Sequence, residues 1–265
     1  KMNDNFGLND NGYPTVRVPF SYDSIDQVSV ELAPFDVKYG SFTSCNINAV
    51  TKSGGNEIHG GVFYDYTNDS MKGDSIKGND VDLGSFSEKR YGFNIGLPLI
   101  KDTLFFFGTY EKLEGAEIFD YPPMGNQISQ ADIDRVVQIT QDVYQYDAGG
   151  TPGSMPVEDE KLLIKLDWNI NEDHRASFVY NYNDGFKLSQ SDSWAQTLDS
   201  HFYERGAELK SLVAALHSDW SDNFSTSISV GKMELDNRQQ SLDADSGFAE
   251  VQIRHNGTTI FLGPD

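Results

Sequence analysis

The sequence predicts a mainly β chain, the antiparallel strands of a transmembrane β-barrel with one helix set in a loop. Three observations point there. Runs of period-two alternation exceed the roughly five or six residues of a globular strand. The connections between them alternate short and long, and Tyr and Trp stand near the ends of the apolar faces, as in barrels of the outer membrane. Lipid cannot satisfy backbone polar groups, so such a sheet survives there only with its edges closed. A soluble antiparallel sandwich also alternates, and the pattern alone leaves that alternative open.

Residues 1–24 are polar, with Gly7, Gly12, Pro14 and Pro19 spaced as in a loop or extended arm, and order is expected from Ile25. Residues 25–32 mix apolar and polar positions with β-branched enrichment and stop before Pro34, which reads as a short strand; residues 47–51 read as a second. Gly54-Gly55 then breaks the chain as a turn or hinge. In residues 57–67, Ile58, Gly60, Val62, Tyr64 and Tyr66 share one face. In residues 161–170, Leu162, Ile164, Leu166, Trp168 and Ile170 oppose Lys161, Leu163, Lys165, Asp167 and Asn169. After a tight Asn171-Glu172-Asp173 connection, Ala176, Phe178, Tyr180 and Tyr182 continue the apolar face. Phe224, Thr226, Ile228 and Val230 repeat the pattern behind Ser221-Asp222-Asn223, the turn from a strand over residues 209–220. Long connections are expected over 67–87, 115–157 and 184–205. Within the second, Ser129 and Asp132 resemble a capping box for a helix over 133–146. Ile133, Val136, Val137, Thr140 and Tyr144 make one stripe, and Gly149-Gly150 ends it.

The 265 residues carry 20 Lys+Arg against 41 Asp+Glu, a net charge of -21, which excludes nucleic acid as a partner. With a mean hydropathy of -0.49 and no apolar run near the ~20 residues of a spanning helix, a helical membrane protein is excluded and a β-barrel is not. The single Cys45 excludes an internal disulfide framework and a cysteine-clustered zinc site. Residues 1–5 lack a basic-then-apolar signal pattern and residues 260–265 close no element, so the chain reads as an internal piece of something longer.

Chemistry-bearing patterns are weak. His59, His174, His201, His217 and His255 lack metal-ligand spacing. The Asp/Asn-rich stretch 68–82 fails the calcium-loop pattern. Glu111, Glu114 and Glu117 read as a charged loop edge around Gly115, and three glycosylation triplets, at Asn68, Asn223 and Asn256, are short enough to arise by chance. No catalytic, cofactor-binding or metal residue is assigned, no cofactor is expected, and the chain is not expected to be an enzyme.

A longer run carries a resemblance: Ile25-Asp26-Gln27-Val28-Ser29-Val30, then residues 33–40 (APFDVKYG), then residues 47–60 (INAVTKSGGNEIHG). It resembles the end of the plug and the start of the barrel in TonB-dependent outer-membrane receptors of the Oar-like group. Residues 132–137 and 165–176 resemble that group's first barrel segments. The resemblance implies that residues 1–55 end an α/β plug domain and residues 56–265 form the amino-terminal portion of a large barrel. It implies TonB-dependent import of an unknown substrate across the outer membrane of a Gram-negative bacterium. The TonB complex would engage a part of the receptor absent here, and outer-membrane lipid and lipopolysaccharide would surround the wall. Ser44-Cys45 departs from the small glycines usual before the Ile-Asn-Ala-Val strand. An outer-membrane adhesin or protein-sorting barrel without import, and a soluble secreted β-sandwich, are the alternatives.

Overall fold

The computed structural model describes residues 15–32, 45–73, 75–76, 79–80, 86–117, 128–151, 153, 155–190, 192 and 195–265. Residues 1–14 and 33–40 of the readings above lie outside that set, as do parts of the 68–82 loop and the side chains of Cys45 and Glu117.

Strands β1 (Ile25–Leu32) and β2 (Cys45–Thr51) pair antiparallel as a separate two-stranded sheet. The wall is a seven-stranded antiparallel sheet. It comprises β3 (His59–Asn68), β6 (Ser87–Ile100), β7 (Leu104–Glu117), β8 (Met155–Asn169), β9 (His174–Ser189), β11 (Tyr203–Ser221) and β12 (Phe224–Ser241). Between them lie the short β4 (Ser75–Ile76), β5 (Asn79–Asp80) and β10 (Gln196–Thr197), and beyond them the hairpin β13 (Val251–His255) and β14 (Thr258–Leu262). The order β12-β11-β9-β8-β7-β6-β3 is a meander: each wall strand pairs with its neighbour in sequence, and β3 and β12 are the edges.

The turns at one end are tight because short polar side chains close them. Asp102, at φ 62, is held by Asn56, whose Oδ1 accepts from the Asp102 N–H (2.8 Å). Asn171 Oδ1 accepts from the N–H groups of Asp173 (3.0 Å) and His174 (2.8 Å), an Asx turn between β8 and β9. The opposite end carries the connections from β3 to β6, β7 to β8 and β9 to β11, where the sequence predicts the long ones, with the third shortened because β9 runs on to Ser189.

Antiparallel pairing puts partnered residues on the same face, so the register tests the alternation directly. Val62↔Phe93↔Tyr110↔Leu162↔Tyr182 is one row of the outer face. Gly60↔Ile95↔Gly108↔Ile164↔Tyr180↔Leu212 is the next row of that face, and Leu166↔Phe178↔Ala214↔Val230 the row beyond it. Along these rows the apolar side chains are exposed or half-buried, with Val62 at 86% and Val230 at 69% exposure. From Leu162 to Ile170 the apolar face runs roughly 26 Å at ~3.3 Å per residue, enough to cross a hydrocarbon layer when moderately tilted. No helix among the described residues is long and apolar enough to do so.

Two expectations need correction. Order begins before Ile25: Thr15, Ser21 and Ser24 are buried, and Tyr22–Ser24 form a 3-10 turn. The helix, α1 (Gln130–Tyr144), starts three residues earlier and stops before Gly149-Gly150. The capping box sets the start, since Ser129 as N-cap makes Gln130 the first helical residue. Gln145, at φ 55, supplies the left-handed stop that the glycines were expected to give.

Candidate functional site

The inner face of the wall, the one opposite the apolar rows, carries a polar network that sequence reasoning did not assemble. Its logic is register. Glu111, Lys161 and Asn183 are successive partners on β7, β8 and β9, so three inward side chains of complementary chemistry stand side by side. One rung away, Asn94, Thr109 and Asn181 occupy β6, β7 and β9, with Leu163 of β8 between them.

Residues 15–24 lie against these rungs as an arm. Glu111, 2% exposed, accepts on Oε2 from the Ser21 hydroxyl and from the Tyr22 N–H, both at 3.0 Å. Its Oε1 takes the Lys161 ammonium at 3.3 Å. Lys161 also pairs with Asp159 at 2.9 Å, and Asn183 donates to Asp159 Oδ1 at 2.5 Å. Thr109 donates to Ser21 Oγ (3.2 Å), Asn94 to Asp23 Oδ2 (3.2 Å) and Asn181 to the Pro19 carbonyl (3.1 Å).

A buried carboxylate is tolerated only when paired and hydrogen-bonded, and the arm supplies two of the donors that make Glu111 acceptable there. The segment after β2 is held in the same way. Lys165 donates to Ser53 Oγ (2.8 Å) and the Thr51 carbonyl (3.3 Å), and the Lys52 N–H donates back to the Ser24 carbonyl (2.8 Å). Gly54 passes so close to the wall that an added Cβ would collide with the Phe106 carbonyl oxygen. Gly54 is thus confined to glycine by this close approach, in place of the turn expected at Gly54-Gly55.

Glu111 is therefore no loop-edge residue. It lies on β7 facing inward, whereas Glu114, three residues on, faces outward between Lys89 (2.6 Å) and Lys112 (3.0 Å). Outside, just beyond the apolar band on the long-loop side, a charged belt continues with Glu208–Lys210 and Asp184–Arg238, each at 2.5 Å.

The long loops build a cap. Ile133 on α1 packs with Ile128, Tyr146, Ala148, Leu198, Ile260 and Leu262, joining the connection before β8 to β14 and to residues before β11. Val136 and Val137 pack against this cluster, while Tyr144 leaves the expected stripe and stays exposed, edge-on to Phe248. Ser129 Oγ accepts from the Asp132 N–H (3.3 Å), and the Asp132 carboxylate accepts from the Ser129 hydroxyl (2.7 Å) and the Ser129 N–H (2.9 Å), which in that order hold the carboxyl below its ordinary range. Tyr146 stacks on Phe248 and donates to Asp243; burial first, then that bond, push its phenol up to about 12.

The five histidines are dispersed. His59 lies against Gly96, His174 against Trp220, His201 is buried with Nδ1 2.9 Å from the Gly263 carbonyl, and His217 and His255 sit beside Asp219 and Asp132. Among the described residues no group of three His, Cys, Asp or Glu side chains is placed to hold a metal ion.

A family model described as an outer membrane beta barrel domain matches residues 50–118. The chain is 28% identical over 194 residues to the TonB-dependent transporter Oar of Myxococcus xanthus, covering 67% of this chain and 17% of that protein. It is 35% identical over 99 residues to a protein named "Probable TonB-dependent siderophore receptor PirA" of Acinetobacter baumannii, covering 36% of this chain and 12% of that protein. The chain thus spans less than a fifth of the length of either relative, and both are named as transporter or receptor, not enzyme. No solved structure matches it.

Proposed function

We propose that this chain, an outer-membrane β-barrel segment similar to TonB-dependent receptors of the Oar-like kind, belongs to a protein that imports a substrate across the outer membrane with energy relayed by TonB. Residues 1–55 are the end of the plug in this reading, and residues 56–265 begin the barrel.

The observation that carries the proposal is the arm held inside the wall by hydrogen bonds at Glu111, Asn94 and Asn181. A transport plug must stay seated at rest and leave its seat on demand. Hydrogen bonds exchange for water at a net cost of only about 1 kcal/mol each, whereas withdrawing buried apolar side chains costs about 1.5–3 kcal/mol apiece. The outer charged belt, with both signs interleaved, supports contact with lipopolysaccharide, whose phosphates meet Lys89, Lys112 and Lys210 and whose divalent cations bridge to the carboxylates.

The test is a paired deletion in the source bacterium. Loss of the gene encoding this chain and loss of the TonB partner should abolish depletion of the same compounds from a defined medium, read by mass spectrometry. Depletion that survives loss of TonB, with surface attachment lost on removing this gene, would assign adhesion and overturn import.

A further inference from the structure

The cap contains a trough that none of its contacts with the wall use. Arg135, Ile139 and Tyr144 of α1 line one side and Val251, Ile253 and His255 of β13 the other, enclosing about 580 Å³. That is ample for several side chains.

β13 is the edge strand of its sheet, which runs in the order β10-β14-β13. The two-residue turn through Asn256 (φ 48) and Gly257 (φ 85) makes His255 and Thr258 its closing hydrogen-bonded pair. By alternation, Ile253 with Ile260 and Val251 with Leu262 exchange the remaining bonds. Gln252 and Arg254, both exposed, therefore turn their N–H and C=O groups to the free edge that borders the trough.

We propose that this trough binds an extended peptide, which adds a strand to the free edge of β13, seats alternate aliphatic side chains against Ile139 and Val251, and places a carboxylate on Arg135. A row of unpaired backbone donors and acceptors beside an apolar floor is the chemistry of strand addition. An alkyl chain in the same place would cover those groups without satisfying them.

The carboxylate follows from charge. Arg135 makes no hydrogen bond or ion pair among the described residues. Its neighbour in sequence, Asp134, accepts from Gln130 Nε2 at 2.8 Å, and Asp132, which lines the same trough within reach of the Arg135 charge, is committed to the Ser129 cap and lies 3.6 Å from His255. The proposal deepens the receptor reading by naming a ligand class for its outer surface. Equilibrium binding does not involve TonB, so import can fail while this inference stands, and the reverse.

The full-length protein, purified in detergent, is titrated with a fluorescein-labelled octapeptide of alternating threonine and valine bearing a free carboxy terminus, followed by anisotropy. Saturable binding is expected, weakened about tenfold or more by Gln252→Pro, which removes one edge N–H at a position where proline is tolerated, and by Ile139→Asp. Arg135→Gln should weaken the free-carboxylate peptide and leave its carboxamide unchanged. Absent saturation, or equal affinity in all three variants, overturns the proposal. Displacement by decanoate together with indifference to Gln252→Pro assigns the trough to an amphipathic acid and overturns it too. So does strong hydrogen-exchange protection of the Gln252 and Arg254 amides without ligand, which would show the edge already paired within the protein.

Discussion

Replacing Glu111 by alanine should loosen the arm without unravelling the wall, and the contacts say by how much. Truncation removes the acceptor for the Ser21 hydroxyl and the Tyr22 N–H. It does not strand Lys161, which keeps Asp159 at 2.9 Å. Two orphaned donors, the Ser21 hydroxyl buried and the Tyr22 N–H half-buried, cost about 1–3 kcal/mol each, and water entering the vacated space places the total near the lower bound, about 2 kcal/mol. At about 1.4 kcal/mol per decade, the equilibrium for lifting the arm shifts roughly thirtyfold. The readout is maleimide labelling of Thr15→Cys, a position buried when the arm is seated, in outer-membrane vesicles of the full-length protein with its other cysteines replaced by serine. Glu111→Ala should speed labelling by about that factor at subsaturating reagent, and Glu111→Gln, which retains an acceptor oxygen, should restore most of the slow rate. Labelling unchanged within about twofold, or equally fast in both variants, would refute the assignment of Glu111 as the group that seats the arm.

Three further outcomes are expected. Ile164→Arg, in the middle of the outer apolar rows, should destabilise the folded protein in lipid by about 2–4 kcal/mol, while Ser177→Arg on the inner face of the adjoining strand costs less than about 1 kcal/mol. Urea unfolding in vesicles decides, and equal costs would contradict the assignment of faces. Gly54→Ala forces the chain off the Phe106 carbonyl at about 1–3 kcal/mol, so trypsin should cut after Lys52 faster than in the parent protein, and an unchanged rate would remove the steric reading. For Tyr146 the folded pKa is raised from 10.0 to about 12, so its contribution to the cap is fully present below pH 10 and is lost as pH rises toward about 12. The absorbance titration of Tyr146→Phe should differ from the parent's by one phenol ionising near 12; a missing phenol that titrates near 10 would contradict the buried bond to Asp243.

Much of the wall was legible because side-chain alternation is local. Leu162, Ile164 and Leu166 announce their face without knowledge of any partner, and Asn171 and Asp222-Asn223 announce the turns. Strands β6 and β7 were harder to delimit, since Gly92, Gly96 and Pro98 dilute the alternation and Leu104 to Phe107 is apolar on both faces. The inner network was hidden for a different reason. Glu111 and Lys161 lie fifty residues apart and become neighbours only through a register that no local signal fixes. The cap is hidden still more deeply: Ile133 meets Leu198, Ile260 and Leu262 through three separate loops whose sequences show no shared period.

The reach of α1 to β14 has a mechanical corollary. One end of this contact is rooted between β7 and β8 and the other beyond β12, so it ties two points of the wall separated by β8, β9 and β11. A meander of hydrogen-bonded strands is stiff along each strand yet free to flex about its pairings, and a fixed chord across its upper rim removes that freedom. The cap thus sets the arc of the wall, and whatever loosens the cap lets the inner rungs splay and relaxes the grip of β7, β8 and β9 on the arm they hold.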